Sequence, residues 1–152
     1  MIRCRHGGHI NVRAGHRRTI EVTKDDYLTP PRGDCIVGIK ADRGDLVDIN
    51  PELKDIIRRD NAVVIVVFIV DEYLDLVIGM GSSKLTLGSR SKMIIRRSAY
   101  TDDSTLMIKA NKAAIDLDRK LIDRLKRGGA PLTMYIVGVD LEQVGATKGN
   151  GT

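Results

Sequence analysis

Gly15-His-Arg-Arg-Thr-Ile-Glu-Val-Thr-Lys-Asp-Asp-Tyr27 lies without gaps on Gly88-Ser-Arg-Ser-Lys-Met-Ile-Ile-Arg-Arg-Ser-Ala-Tyr100, 73 residues further along the chain. Glycine opens both stretches and tyrosine closes both. After a loop four residues shorter in the second stretch, Ile39-Lys40-Ala41-Asp42-Arg43 meets Ile108-Lys109-Ala110-Asn111-Lys112. Leu53-Lys-Asp55-Ile-Ile57-Arg58-Arg59 then meets Leu121-Ile-Asp123-Arg-Leu125-Lys126-Arg127, and the apolar run from Ala62 falls on the one from Ala130. Four matches in the same order point to duplication and fusion of one unit. The expectation is a single domain over residues 1–152, built from diverged copies at about residues 10–80 and 83–147.

Periodicity assigns the elements of each copy. Thr19 to Thr23 alternates in period two and Cys35 to Ile39 follows a Pro-Pro-Arg-Gly-Asp turn, so both read as strands. Asn50 caps and Pro51 starts a short helix to about Arg59. Leu117, Leu121 and Leu125 recur every four residues ahead of Gly128-Gly129, which predicts a longer helix with a glycine cap. Ala62 to Val70 is short and β-branched, hence a central strand, with Asp71 to Ile78 continuing or pairing with it and Leu132 to Val139 as its counterpart. The fold class is α+β: two ββαβ(β) repeats forming a pseudo-two-fold β-barrel or one mixed sheet with two helices. Closure into a barrel is preferred because it removes long aliphatic strand edges.

With 42% apolar and 30% charged residues, a fibrous or disordered chain is excluded. The longest apolar run, Ala62 to Val70, is half of the ~18 residues a spanning helix needs, so no membrane partner is expected. Met1 to His6 has no apolar segment behind it of the secretory kind, which suggests a cytoplasmic protein with Cys4 and Cys35 as free thiols. Net charge is +5, and residues 82–129 carry twelve Lys or Arg against five Asp or Glu. The first twenty residues hold five arginines, three histidines and no acid.

His9-x-Asn11-Val12-x-Ala14-x-His16-x-x-Thr19-x-Glu21-x-Thr23, then Tyr27-Leu28-Thr29 and Arg32-Gly33-Asp34-Cys35-Ile36, resembles the archaeal family known as domain of unknown function 371. Ala110-x-Lys112-Ala113-Ala114-x-Asp116-Leu117-Asp118-Arg119 resembles it too. The resemblance covers most of the chain and implies an archaeal, cytoplasmic origin. It implies no activity and no catalytic residue.

Comparison of the two copies selects functional candidates, because chemically capable residues present in one copy alone are free of a shared structural duty. His16 aligns with Ser89, His9 falls near Ser82, and Cys35 near Ser104. His9, His16 and Asp34, with Asn11, could meet at one end of a barrel for general acid–base work. Tyr27 and Tyr100 are shared and read as packing residues. Cys4, His6, His9 and His16 are ligand types for zinc, but their spacing fits no standard site, and no metal is assigned. Walker, Cys-x-x-Cys and His-Glu-x-x-His patterns are absent, so no cofactor is named. Arg13, Arg17 and Arg18, with Arg90, Arg96 and Arg97 in the equivalent strand, form a candidate phosphate-binding surface for RNA or DNA. The reading is a module binding nucleic acid or another phosphate-rich ligand. The alternatives are a small enzyme using the His/Asp residues, or an assembly subunit, with a homo-oligomer possible.

Overall fold

Burial alternates without a break along Ala62–Val70 (β4), the pattern of a strand whose even-numbered side chains enter a core. In the computed structural model, which describes residues 1–42, 46–127 and 129–144, β4 is one of eight strands among the described residues. The others are β1 (Ile2–Gly7), β2 (Thr19–Thr23), β3 (Ile36–Gly38), β5 (Tyr73–Met80), β6 (Lys92–Arg96), β7 (Thr105–Met107) and β8 (Pro131–Asp140). Two α-helices, α1 (Pro51–Ile57) and α2 (Arg119–Leu125), precede β4 and β8, and residues 141–144 are also helical.

The strands form two separate four-stranded sheets, in the orders β1-β8-β4-β5 and β3-β2-β6-β7. The expected barrel is therefore not formed. β3 and β7 have three residues each, too short to pair along β1 and β5. The sheets touch instead through single bridges, Gly7 with Ile39 and Met80 with Ile108. In the first sheet β4 is paired on one side with β8 and on the other with β5, so both aliphatic runs are central, as their composition predicts. In the second sheet β2 pairs antiparallel with β6, while β3 and β7 add in parallel, each with a register irregularity.

One hydrophobic core fills the space between the sheets, with Phe68, Ile20, Leu28, Ile36, Leu106 and Leu117 among its fully buried side chains. Asn50 caps α1 through its side chain to Leu53 N at 2.8 Å, and Pro51 stands at the first helical position, as predicted. α2 has seven residues, the same as α1. It is not the longer helix expected, because Asp118 accepts from Lys120 N and Leu121 N and starts it late. Asp116 lies in a preceding 3₁₀ turn and pairs with Arg97, while Arg124 reaches Asp71, so the helix charges pair outward. Of the two glycines expected to cap α2, Gly129 has φ of +70°, and Gly128 lies outside the described residues, as do Arg43 and residues 145–147 of the second repeat.

The basic N-terminal arm is a strand. β1 pairs with β8 along its whole length, sending Ile2, Cys4 and His6 inward and Arg3 and Arg5 outward. Gly33 serves close approach: a Cβ there would sit 1.8 Å from Asn11 O. No helix among the described residues is long and apolar enough to cross a membrane.

Candidate functional site

The turn leaving β1 begins with Gly8, where a Cβ would lie 2.1 Å from the carbonyl oxygen of Leu125, so only glycine fits against the end of α2. His9 follows. Its Nδ1 accepts from Asn11 N at 3.0 Å, and Asn11 Nδ2 donates to Leu28 O at 2.8 Å. A neutral ring that accepts at Nδ1 carries its proton on Nε2, which makes that nitrogen a donor. The imidazole stands edge-on to Tyr27, with centroids 5.0 Å apart. Tyr27 and Tyr100 are about 60% exposed, which corrects their reading as packing residues.

His9 and Tyr27 line a cavity of about 480 Å³, shared with Gly7, Gly8, Asp26 and Lys40. Lys40 lies two residues beyond β3 with φ of 54°, its backbone N donating to Asp25 O at 2.9 Å. Left-handed backbone costs a residue with a Cβ about 1 kcal/mol, and glycine would avoid that cost.

A second cavity, of about 310 Å³, lies beside the turn leaving β5 and is lined by Gly81, Ser82, Lys84, Ala99 and Lys109, with Asp60. Its backbone features correspond one for one. A Cβ on Gly81 would sit 2.2 Å from Ile57 O at the end of α1. Ser82 Oγ accepts from Lys84 N at 3.1 Å, and Lys109 has φ of 51° with its N donating to Ser98 O. Ser82 and Ala99 replace the histidine and the acid.

His16 lies elsewhere. Its Nδ1 accepts from Arg18 N at 3.1 Å and from Thr19 N at 3.0 Å, closing the turn into β2. Ser89 Oγ does the same for β6, accepting from Ser91 N and Lys92 N at 3.3 Å. Asp34 is joined to His16 through its backbone oxygen, which accepts from His16 N, and its carboxylate is 3.4 Å from Arg13. Of the four residues expected at one end of a barrel, His9 joins Asn11 and, separately, His16 joins Asp34. Neither lines the cavity that holds His9.

The arginines divide by position. Arg17 and Arg18 precede Thr19, which pairs with Arg96, whereas Arg90 precedes Lys92, which pairs with Thr23 at the other end of the ribbon. Arg96 donates to Thr105 Oγ1 at 2.9 Å and Asp102 at 2.8 Å, and its guanidinium lies 4.8 Å from the Tyr100 ring centroid. Arg97 stands 3.6 Å from Asp116. Arg17, Arg18 and Arg90 are exposed.

Among the described residues no group of three His, Cys, Asp or Glu side chains converges as a metal would require. Cys4 and Cys35 form no disulfide. Burial pushes the Cys35 thiol up, away from the thiolate a nucleophile needs. Asp26 and Lys40 are not among the candidates singled out in the sequence, and Tyr27 is read there as a packing residue. The signal was present for Lys40 in the Ile-Lys-Ala tripeptide that recurs at Ile108, but identity alone does not say that its backbone is left-handed.

Two sheets enclosing one core, with a cavity beside each crossing turn, define an α+β domain that carries none of the standard cofactor motifs. The model of the family described as Domain of unknown function (DUF371) matches residues 2–139, from β1 almost to the end of β8, and the chain belongs to that family. It is similar to an uncharacterized protein of the archaeon Methanocaldococcus jannaschii, 46% identical over 130 residues that span 86% of this chain and 94% of the relative.

Proposed function

We propose that the chain is a duplicated binding module whose first copy takes a small, hydroxyl-bearing phosphate ester in the His9–Tyr27–Lys40 cavity. The copies run β1-β2-β3-α1-β4 and β5-β6-β7-α2-β8. Shifting residue numbers by 73 in the early strands and 68 in the late ones supports this reading through the ladders: Arg5↔Thr133 becomes Ile78↔Ile65, Thr19↔Arg96 becomes Thr23↔Lys92, and Ile65↔Val137 becomes Ile69↔Thr133. Each ladder thus has its image in the molecule, as a pseudo-two-fold axis between β4 and β8 and between β2 and β6 requires.

The observation that carries the ligand is the contrast between the two cavities. Both retain the strained lysine, a cation suited to a phosphate. Only the first adds a histidine donor and an exposed tyrosine ring; its Asp26 carboxylate is an acceptor for hydroxyls, whereas the carboxylate of the second cavity, Asp60, already accepts from Ser83 N and Oγ. The test is NMR titration of the whole protein with AMP, ribose 5-phosphate and inorganic phosphate. Shifts confined to residues 7–10, 26–27 and 39–40, and lost in His9→Ser, support the reading. No response to any of the three would overturn it. A polynucleotide would use Arg17, Arg18 and Arg90 instead: heparin retention lost in Arg17→Ala/Arg90→Ala and kept in His9→Ser would replace the small ligand with that partner.

A further inference from the structure

The two sheets differ in how their faces are covered. Helices α1 and α2 and the second sheet all lie on the inner face of the first sheet, where Gly138 meets Leu53 and Ile56 of α1. On the opposite face the registers set four rows side by side. β4 contributes Val63, Ile65, Val67 and Ile69, and β8 contributes Thr133, Tyr135, Val137 and Val139. β5 contributes Leu74, Leu76 and Ile78, with Leu74 as much as 56% exposed. Arg3 and Arg5 on β1 are the charged members, and they stand at one edge.

None of these side chains belongs to the core cluster. By contrast, Ile20, Glu21, Val22 and Thr23 of β2 are buried on both faces of the second sheet. Residues 145–152, Gly-Ala-Thr-Lys-Gly-Asn-Gly-Thr, contain no large apolar side chain that could supply the missing cover.

We infer that this face is the interface of a homodimer, two copies packing sheet against sheet. Strands spaced ~4.8 Å apart and rising ~3.4 Å per residue give four strands a face of about 500 Å², before side-chain relief is counted. Two such faces bury on the order of 1,000 Å² or more, the threshold of a specific interface. One such face is as large as the largest apolar patch of an ordinary monomer, about 300–600 Å², and patches of that size often mark a binding surface. A second copy fits because it brings the same charge-poor surface. A two-fold axis parallel to the strands sets the Arg3 and Arg5 row over the partner's β5 row, where the aliphatic stems cover leucines and the guanidinium groups reach water at the edge. An axis across the strands would stack four arginines together. Sheets packed in this way align to within about 30°.

Sedimentation velocity of the whole protein from 1 to 100 µM tests the inference. The wild type should sediment as a dimer. Val67→Lys, a substitution pointing away from the core, should weaken dimerisation by at least about 100-fold and leave a folded monomer with unchanged circular dichroism. Val67→Ala, which adds no charge, should weaken it to a lesser degree. A wild-type monomer at 100 µM, or a dimer indifferent to both substitutions, would overturn the inference.

Discussion

The turns that leave β1 and β5 are built alike and furnished differently. In each, a glycine presses against the carbonyl of a helix end, a side-chain acceptor takes the backbone N–H two residues on, and a left-handed lysine faces a cavity. The acceptor is an imidazole in one and a hydroxyl in the other. Structural duty alone does not choose between them, because Ser82 closes its turn as His9 does, and Ser89 as His16 does. On the proposed duplication, a residue that differs between copies is a functional candidate only when something beyond its shared hydrogen bond surrounds it. His9 meets that condition through Tyr27, Asp26 and Lys40. The same comparison reads His16 as a cap.

The strongest test of the shared plan lies in the central strands. Val66 on β4 and Met134 on β8, which correspond on the proposed duplication, are both buried. Val66→Asp and Met134→Asp should both abolish folding, since an unpaired buried carboxylate costs several kcal/mol, about the whole stability. Soluble, cooperatively melting protein from either would break the equivalence. Gly8→Ala and Gly81→Ala should each lose about 3 kcal/mol in denaturant unfolding, because the added Cβ meets backbone that has little room to yield. A large loss in one and none in the other would show that the two contacts are not the same device.

His6 sharpens the comparison by breaking it. It is buried against Gly38, where a Cβ would come within 2.9 Å of its own, whereas Gly79 on β5 leaves room for Met107. Neither ring nitrogen has a hydrogen-bond partner among the described residues. Burial lowers its pKa from 6.5 to about 4, with Asp42 opposing the shift. The folded state therefore resists a proton that the unfolded chain accepts. Stability is fully present above pH 6.5 and should fall by about 3 kcal/mol as the pH drops toward 4. Urea unfolding across that window checks this, and His6→Leu should flatten the dependence. Smallest of all, His16→Ser should change stability by less than about 0.5 kcal/mol, because serine serves at Ser89. A loss of several kcal/mol would give His16 a role that Ser89 lacks.

Much of this was legible. The alternation in Thr19 to Thr23, the β-branched run from Ala62 and the Asn50-Pro51 start each carry a local physical signal, and each element formed where that signal lies. β1 was hidden because the first twenty residues stood out only for their arginines and histidines and lack of acid, although Ile2, Cys4 and His6 already alternate with Arg3 and Arg5. Barrel closure was out of reach because it depends on the length of β3 and β7, and alternation does not fix where a strand stops pairing. The cavity was half visible. His9 stood out by type, but Asp26, Tyr27 and Lys40 join it through a bridge between Gly7 and Ile39 that no local pattern encodes.

The central claim is that the first cavity, and not the second, binds the ligand. Calorimetric titration of AMP into Lys40→Gly and Lys109→Gly, with a melting curve for each, tests it most directly. Glycine adopts the left-handed backbone without strain, so neither variant should melt lower than the wild type by more than about 0.5 kcal/mol. The account predicts that Lys40→Gly loses AMP binding while Lys109→Gly keeps it. Equal affinity in both variants would contradict it.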